Sequence, residues 1–111
     1  MTEAKIQRIF KHYGEQSQLM KTQEELDELD DVVGKLLTLE KCAVSKKMAF
    51  YKSNRESLID HIAEEIADVR IMLDQIEFGL RIEKRCADWR EFKIQRQLKR
   101  IESDAHIGTQ V

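Results

Sequence analysis

The sequence contains no proline, four glycines in 111 residues, two cysteines and only 6% aromatic residues. Without proline, nothing breaks a helix through a missing backbone donor and a ring clash with the preceding turn. Asn-Gly, Asp-Gly and the other tight-hairpin pairs are absent as well. Together with the scarcity of glycine, this excludes an all-β fold. No run of about 18 apolar residues occurs, so no spanning helix and no membrane partner are expected. The opening residues, Met1-Thr2-Glu3-Ala4-Lys5, lack the apolar core of a signal peptide. Cys42 and Cys86 show neither CxxC nor metal-ligand spacing and are expected as reduced thiols of a cytoplasmic protein. A basic excess is also missing. Lys plus Arg is 19 against 21 for Asp plus Glu, a net charge of −2, which argues against a generic binder of nucleic-acid polymers.

What is present is helical periodicity. At this length one domain is expected. A first helix is predicted from Thr2 to Tyr13, with Ile6, Ile9, Phe10 and Tyr13 on one face and Gly14 as its stop. A second begins near Ser17 and carries Leu19, Leu26, Leu29, Val33, Leu36 and Leu37, with Gly34 inside it. The third has the clearest pattern. Ile59, Ile62, Ile66, Val69, Leu73 and Ile76 alternate steps of three and four, the spacing of a helix packed in a bundle. Ser53 and Glu56 have capping-box spacing at its start, and Gly79 suits its end. The fourth is expected from Glu83 to Glu102, with Cys86, Trp89, Ile94, Leu98 and Ile101 inward. Residues 1–102 then form the domain, and 103–111 a patternless, frayed tail. Between helices two and three, Lys41 to Lys52 mixes four lysines with Val44, Met48, Phe50 and Tyr51. An antiparallel pair with a shared core favours a turn there; a helix continued to about residue 50 is the competing reading. The fold class is therefore all-α, a four-helix bundle. Met20, Leu37, Met72 and Leu80 leave further apolar surface, which favours a symmetric homodimer or homotetramer.

The carboxylates cluster. Glu24-Glu25-Leu26-Asp27-Glu28-Leu29-Asp30-Asp31 holds six acids in eight residues, and Glu64-Glu65-Ile66-Ala67-Asp68 forms a second group. Glu25 and Glu28 each precede an expected core residue, Leu26 and Leu29. Glu65 and Asp68 do the same before Ile66 and Val69. Residues three apart share a helix face, so each helix presents a carboxylate pair on the same flank of its apolar stripe, and packing the stripes brings the pairs together. Four converging carboxylates repel unless some take up protons or a counter-charge arrives. Mg²⁺ supplies that charge, prefers hard oxygen ligands and bridges to phosphates. The plain alternative for each pair is a solvated helix face, and Asp27, Asp30 and Asp31 are expected to face solvent in either case.

The ordered set Tyr13-Gly14-Glu15-Gln16-Ser17-Gln18, Glu24-Glu25-Leu26-Asp27-Glu28-Leu29 and Glu64-Glu65-Ile66-Ala67-Asp68-Val69 resembles the MazG-like all-α nucleoside triphosphate pyrophosphohydrolases, whose motif is EExxE, a spacer and ExxD. Glu91-Phe92-Lys93-Ile94-Gln95-Arg96 resembles the basic segment that follows in small members. The resemblance implies a Mg²⁺-dependent four-helix enzyme, with Mn²⁺ as a substitute, that cleaves a nucleoside triphosphate between its α and β phosphates into a monophosphate and pyrophosphate. It matches Glu25, Glu28, Glu65 and Asp68 to the metal ligands. Glu24 and Glu64 match additional acids that bind a further metal or orient water. It also implies dimers and tetramers that complete the active site. The spacer between Glu28 and Glu65 is longer than usual, which an insertion around Lys41 to Lys52 would explain. In such a site a carboxylate accepts the proton of the attacking water, with Glu25 or Glu28 as the candidate. Lys93 and Arg96, three apart on the fourth helix, are candidates to hold phosphates.

Other chemistries drop out. There is no Glu-x-x-His of a di-iron bundle, no His-Glu-x-x-His of a zinc peptidase and no glycine-rich phosphate loop. His61 is not expected as a ligand, and Trp89, Tyr13 and Tyr51 are expected to pack. The second functional class is a non-catalytic helical interaction or oligomerisation module.

Overall fold

A computed structural model of the protein describes residues 2–42, 46 and 48–110, with side chains through residue 105. It contains four helices: α1 (Thr2–Tyr13), α2 (Glu15–Cys42), α3 (Ala49–Leu80) and α4 (Glu83–Gln110). No strand occurs among the described residues, as the absence of hairpin signals required. No described helix is long and apolar enough to cross a membrane. The chain divides into two compact units, Met1–Gly79 and Leu80–Val111.

Gly14 makes the break between α1 and α2. Its φ of 90° lies in the left-handed region, where a side chain is strained. Its amide donates to the Phe10 carbonyl at 2.8 Å, and its own carbonyl accepts from the Gln18 amide at 3.1 Å. One residue thus ends one helix and begins the next, so α2 starts at Glu15, ahead of the expected Ser17.

α2 and α3 are an antiparallel pair. Gln18 meets Gln75 at one end, and Glu40 meets Tyr51 at the other. The turn between them falls within the lysine-rich stretch. α2 ends at Cys42 and α3 begins at Ala49, while Ala43, Val44, Ser45 and Lys47 lie outside the described residues. The long spacer is therefore mostly helix: it lengthens both arms of the hairpin. The end of the pair is closed by a polar clasp. The buried Tyr51 hydroxyl donates to Glu40 Oε1 at 2.6 Å, Arg55 Nε donates to the same oxygen at 3.0 Å, and Lys46 Nζ lies 3.3 Å from Glu40 Oε2. The Tyr51 hydrogen bond, with Lys46 and Arg55, holds the Glu40 carboxyl below its usual range, and the same bond with burial pushes the Tyr51 phenol up. α3 starts before the Ser53–Glu56 box because the Lys52 amide already bonds the Met48 carbonyl at 3.1 Å, and nothing in the intervening sequence interrupts the helix.

The buried seam corrects the expected core. On α2 it runs through Gln18, Thr22, Glu25 and Val32; on α3 through Tyr51, Glu65, Val69, Met72 and Gln75. Half-buried Leu29 and Leu36, and Leu58, Ile62 and Ile76, fill the steps of three and four between them. Of the expected stripe, Val69 is buried, but Leu19, Leu26, Val33, Leu37, Ile66 and Leu73 are exposed. They stand one step further round each helix. The apolar residues cover a broad arc, and two phases fit it. The structure adopts the one that buries polar side chains, which a count of hydrophobic residues cannot see. Met72, expected at the surface, is buried, whereas Met20, Leu37 and Leu80 are exposed.

α1 packs on the end of α3. Phe10 meets Phe78 edge to face at 5.8 Å between centroids, and Lys11 Nζ lies 5.8 Å from the Phe78 ring centroid. Gly79 does not stop α3. It sits one residue inside, where a Cβ would run into the Phe10 ring. The stop is Arg81, with a left-handed φ of 57°. α4 continues past Glu102 to Gln110, so residues 103–110, expected as a tail, have helical backbone; the first helix breaker among them is Gly108. On α4, Trp89, Ile94, Leu98 and Ile101 are exposed and Cys86 is half-buried.

Two substitutions near this junction should act in opposite directions. Gly79→Ala should destabilise by about 1–3 kcal/mol through overpacking against Phe10. Arg81→Gly should stabilise by about 1 kcal/mol by removing left-handed strain. Thermal or urea melts of both against wild type measure the difference.

Candidate metal centre

The seam places two glutamates opposite each other. Glu25 on α2 and Glu65 on α3 are each only 7% exposed. Each occupies a position where an apolar residue would serve packing better. The two side chains are held alike. Lys21 Nζ lies 3.2 Å from Glu25 Oε1, and His61 Nε2 lies 3.3 Å from Glu65 Oε1, both from one turn earlier on the same helix. The second oxygen of each, Oε2, is buried and has no hydrogen-bond partner.

The neighbours complete an acidic cluster. Ligand oxygens of Glu25, Glu28 and Glu65 lie within 4.8 Å of one another, as do those of Glu64, Glu65 and Asp68. Glu65 belongs to both sets and joins them. Glu28 and Glu64 are exposed and Asp68 is half-buried, so the cluster opens from the seam toward solvent. Burial pushes the Glu25 carboxyl above its usual range. The nearby charges of Glu28 and Asp68 push the same way, and Lys21 opposes them.

Three of the four carboxylates expected to converge, Glu25, Glu28 and Glu65, share one set, and Asp68 joins them through Glu65; their phase differs from the expected one. Glu25 and Glu65 are themselves seam residues, with Leu26 and Ile66 turned one step outward. Glu24 is in neither set; it is exposed, its Oε2 3.5 Å from the same Lys21 Nζ that pairs with Glu25. Asp27, Asp30 and Asp31 are exposed, as expected, and Asp31 pairs with Lys35 at 3.1 Å. Lys93 and Arg96 are exposed on α4, in the second unit, where the Arg96 guanidinium lies 5.7 Å from the Phe92 ring centroid.

Sequence reasoning missed the basic partners. The run from Lys21 through Glu24-Glu25-Leu26 to Glu28 matches the run from His61 through Glu64-Glu65-Ile66 to Asp68 position for position. Each helix supplies a basic group, a glutamate four residues on and a second acid three further. Aligning the two acidic runs with each other would have exposed this repeat. Also missed was a groove of about 910 Å³ between α1, α2 and α3, with Lys21 and Glu24 on its wall and Gln18 and Gln75 within it.

Chemically, two buried carboxylate oxygens without donors, flanked by further carboxylates, form a hard anionic donor set. A divalent cation fits it because it replaces the missing hydrogen bonds and the missing charge together.

Glu25→Gln should stabilise the metal-free protein at neutral pH. A carboxyl whose pKa is raised by folding binds its proton more tightly folded than unfolded. Its contribution therefore worsens as pH rises from the ordinary carboxylate range through the raised value. The gain from Glu25→Gln should shrink as pH falls through that window, in paired melts without metal. A constant difference would contradict the assignment.

No family model, no curated protein and no solved structure matches this chain.

Proposed function

We propose that the protein is a divalent-metal-dependent nucleoside triphosphate pyrophosphohydrolase of the MazG-like type. The observation that carries the reading is the pair of orphaned, buried oxygens of Glu25 and Glu65 beside Glu28 and Asp68. A cluster that served only solubility would leave its carboxylates in water, because burying them without donors costs stability. The sequence resemblance supplies the substrate class.

Glu25, Glu28, Glu65 and Asp68 would hold the cation, Mg²⁺ or Mn²⁺. When bound, such an ion polarises phosphate oxygens and offsets the charge of the triphosphate and the leaving pyrophosphate. The remaining work falls to the chain. Glu28, at the exposed edge of the cluster, is placed to accept the proton of the attacking water, with Glu25 as the alternative acceptor. Glu64 orients water or serves a second ion. Glu24 is assigned here, with Lys21, to the edge of the groove. Lys93 and Arg96 belong to the second unit; their phosphate-binding role rests on the sequence resemblance alone, and no step at the acidic cluster is assigned to them. Cleavage breaks the bond between the α phosphorus and its bridging oxygen and yields a monophosphate and pyrophosphate. The same reading places the protein in the cytoplasm.

A second reading, a helical assembly module, draws on a different observation. Leu19, Leu26 and Val33 on α2 and Ile66 and Leu73 on α3 are exposed and repeat every seven residues. The helices face each other and run in opposite directions, so one residue further along either chain rotates toward the same side of the pair. These residues thus form a single apolar flank, opposite the side toward which Glu28 and Asp68 turn. We assign that flank to a second copy of the chain, because a self-complementary apolar stripe is the ordinary basis of two-fold assembly. An assembly through this flank leaves the acidic cluster within one copy, so it would not complete the site in the way the family resemblance implies.

Millimolar Mg²⁺ or Mn²⁺ should raise the melting midpoint by mass action, and a panel of NTPs and dNTPs should release pyrophosphate. Glu28→Gln and Asp68→Asn should lose most of both responses. Unshifted melting together with no turnover would leave the module. Sedimentation at micromolar concentration should give at least a dimer, converted to monomer by Leu26→Glu with Leu73→Glu. A monomeric wild type would contradict the assembly.

A further inference from the structure

Gln75 is 1% exposed and is the largest fully buried side chain among the described residues. It bridges the helices to Gln18, itself 5% exposed: Gln18 Nε2 donates to Gln75 Oε1 at 2.7 Å. The pair is only partly satisfied. Gln75 Nε2 reaches a thioether, Met72 Sδ, at 3.6 Å, and sulfur is a weak acceptor. The Gln75 amide thus keeps unused donor capacity, and both side chains line the groove of about 910 Å³. Ile9, Met20, Ile71 and Met72 supply its apolar walls, and Tyr13 an aromatic side.

The spacing ties this groove to the acids. Gln18 precedes Glu25 by seven residues on α2, and Gln75 follows Asp68 by seven on α3. Because the helices are antiparallel, both intervals lead from the acidic cluster toward the same end of the pair, by roughly 10 Å at 1.5 Å per residue. A ribose and one phosphate cover such a gap. Lys21 stands between, its ammonium 3.2 Å from Glu25 Oε1, and it is also one of the residues that line the groove.

We propose that the Gln18–Gln75 amide pair is the base-reading element of the protein, taking the hydrogen-bonding edge of a nucleobase that enters the groove between apolar walls. The inference rests on the reading of the acidic cluster as the place of the phosphates. An amide pair suits a base because each offers a donor and an acceptor side by side in one plane. A site built on such groups rejects ligands that leave them unpaired. The competing role is structural: a buried polar pair that only fixes the register of α2 on α3.

The test is a titration of metal-free protein, followed through the side-chain amide signals of Gln18 and Gln75. The probes are the four deoxynucleosides, neutral so that the metal-free acids do not repel them, with 2-deoxyribose as control. At least one nucleoside should move both signals and saturate, with about tenfold preference among the bases, while the control moves neither. Gln18→Met and Gln75→Met should abolish that preference and keep the Mn²⁺-induced rise in melting midpoint. If the methionine variants do not fold, Ile71→Trp, an exposed position on the groove wall, should abolish the response by filling the groove. Signals that no nucleoside moves, or a preference unchanged in folded methionine variants, would overturn the proposal and leave the pair as a register device. The titration uses neither metal nor turnover. A wild type that binds a base but hydrolyses no triphosphate would therefore sink the pyrophosphohydrolase reading alone.

Discussion

Two carboxylates placed face to face in the seam between helices are the constraint on which the rest of the structure depends. Removing a charge from water is costly, and placing a like charge beside it raises the cost. Glu25 and Glu65 accept both penalties. Lys21 and His61 relieve one oxygen of each, and the other oxygens remain without donors. The two helices are held together by what flanks this point: Val32, Val69 and Met72 in the seam, the Tyr51–Glu40–Arg55 clasp at one end and the Gln18–Gln75 bond at the other, where the Phe10–Phe78 edge contact adds α1 to α3. The arrangement concentrates instability where chemistry is proposed and stability away from it.

The antiparallel pairing then gives the hairpin two unlike sides. One step before the seam lie Lys21 and Glu28 on α2 and His61 and Asp68 on α3. One step after it lie Leu26 and Val33 with Ile66 and Leu73. Charge and hydrophobicity are thus sorted by a rotation of a single residue, repeated along both helices. A centre proposed for one side and a self-association surface proposed for the other do not compete for residues.

Much of this was legible in the sequence. The absence of proline and hairpin pairs required helices, and Gly14 marked the first break. The spacing of Glu25 and Glu28, and of Glu65 and Asp68, was enough to place each pair on one face of its helix; which faces meet is set by the packing. The phase was not legible. Leu26 and Ile66 are more hydrophobic than their neighbours, so a pattern reading places them inside. The actual seam carries Gln18, Thr22, Glu25, Glu65 and Gln75, whose burial depends on partners across the pair rather than on their own polarity. The clasp was hidden for the same reason: Tyr51 and Glu40 meet only once the turn between them is closed. Gly79 suits a helix stop by sequence, but its role is to admit the Phe10 ring, a tertiary contact with no local signature. The end of α4 was missed because helical backbone continues past Glu102 without an apolar pattern to mark it.

The central claim is that the orphaned oxygens are cation ligands. The most direct measurement is anomalous diffraction at the manganese edge from crystals soaked in Mn²⁺. The account expects a peak bonded by Glu25, Glu28 and Glu65, with the Oε2 atoms of Glu25 and Glu65 turned onto it. A map with no peak there, in crystals where those two oxygens instead bond ordered water or each other through a shared proton, would contradict it.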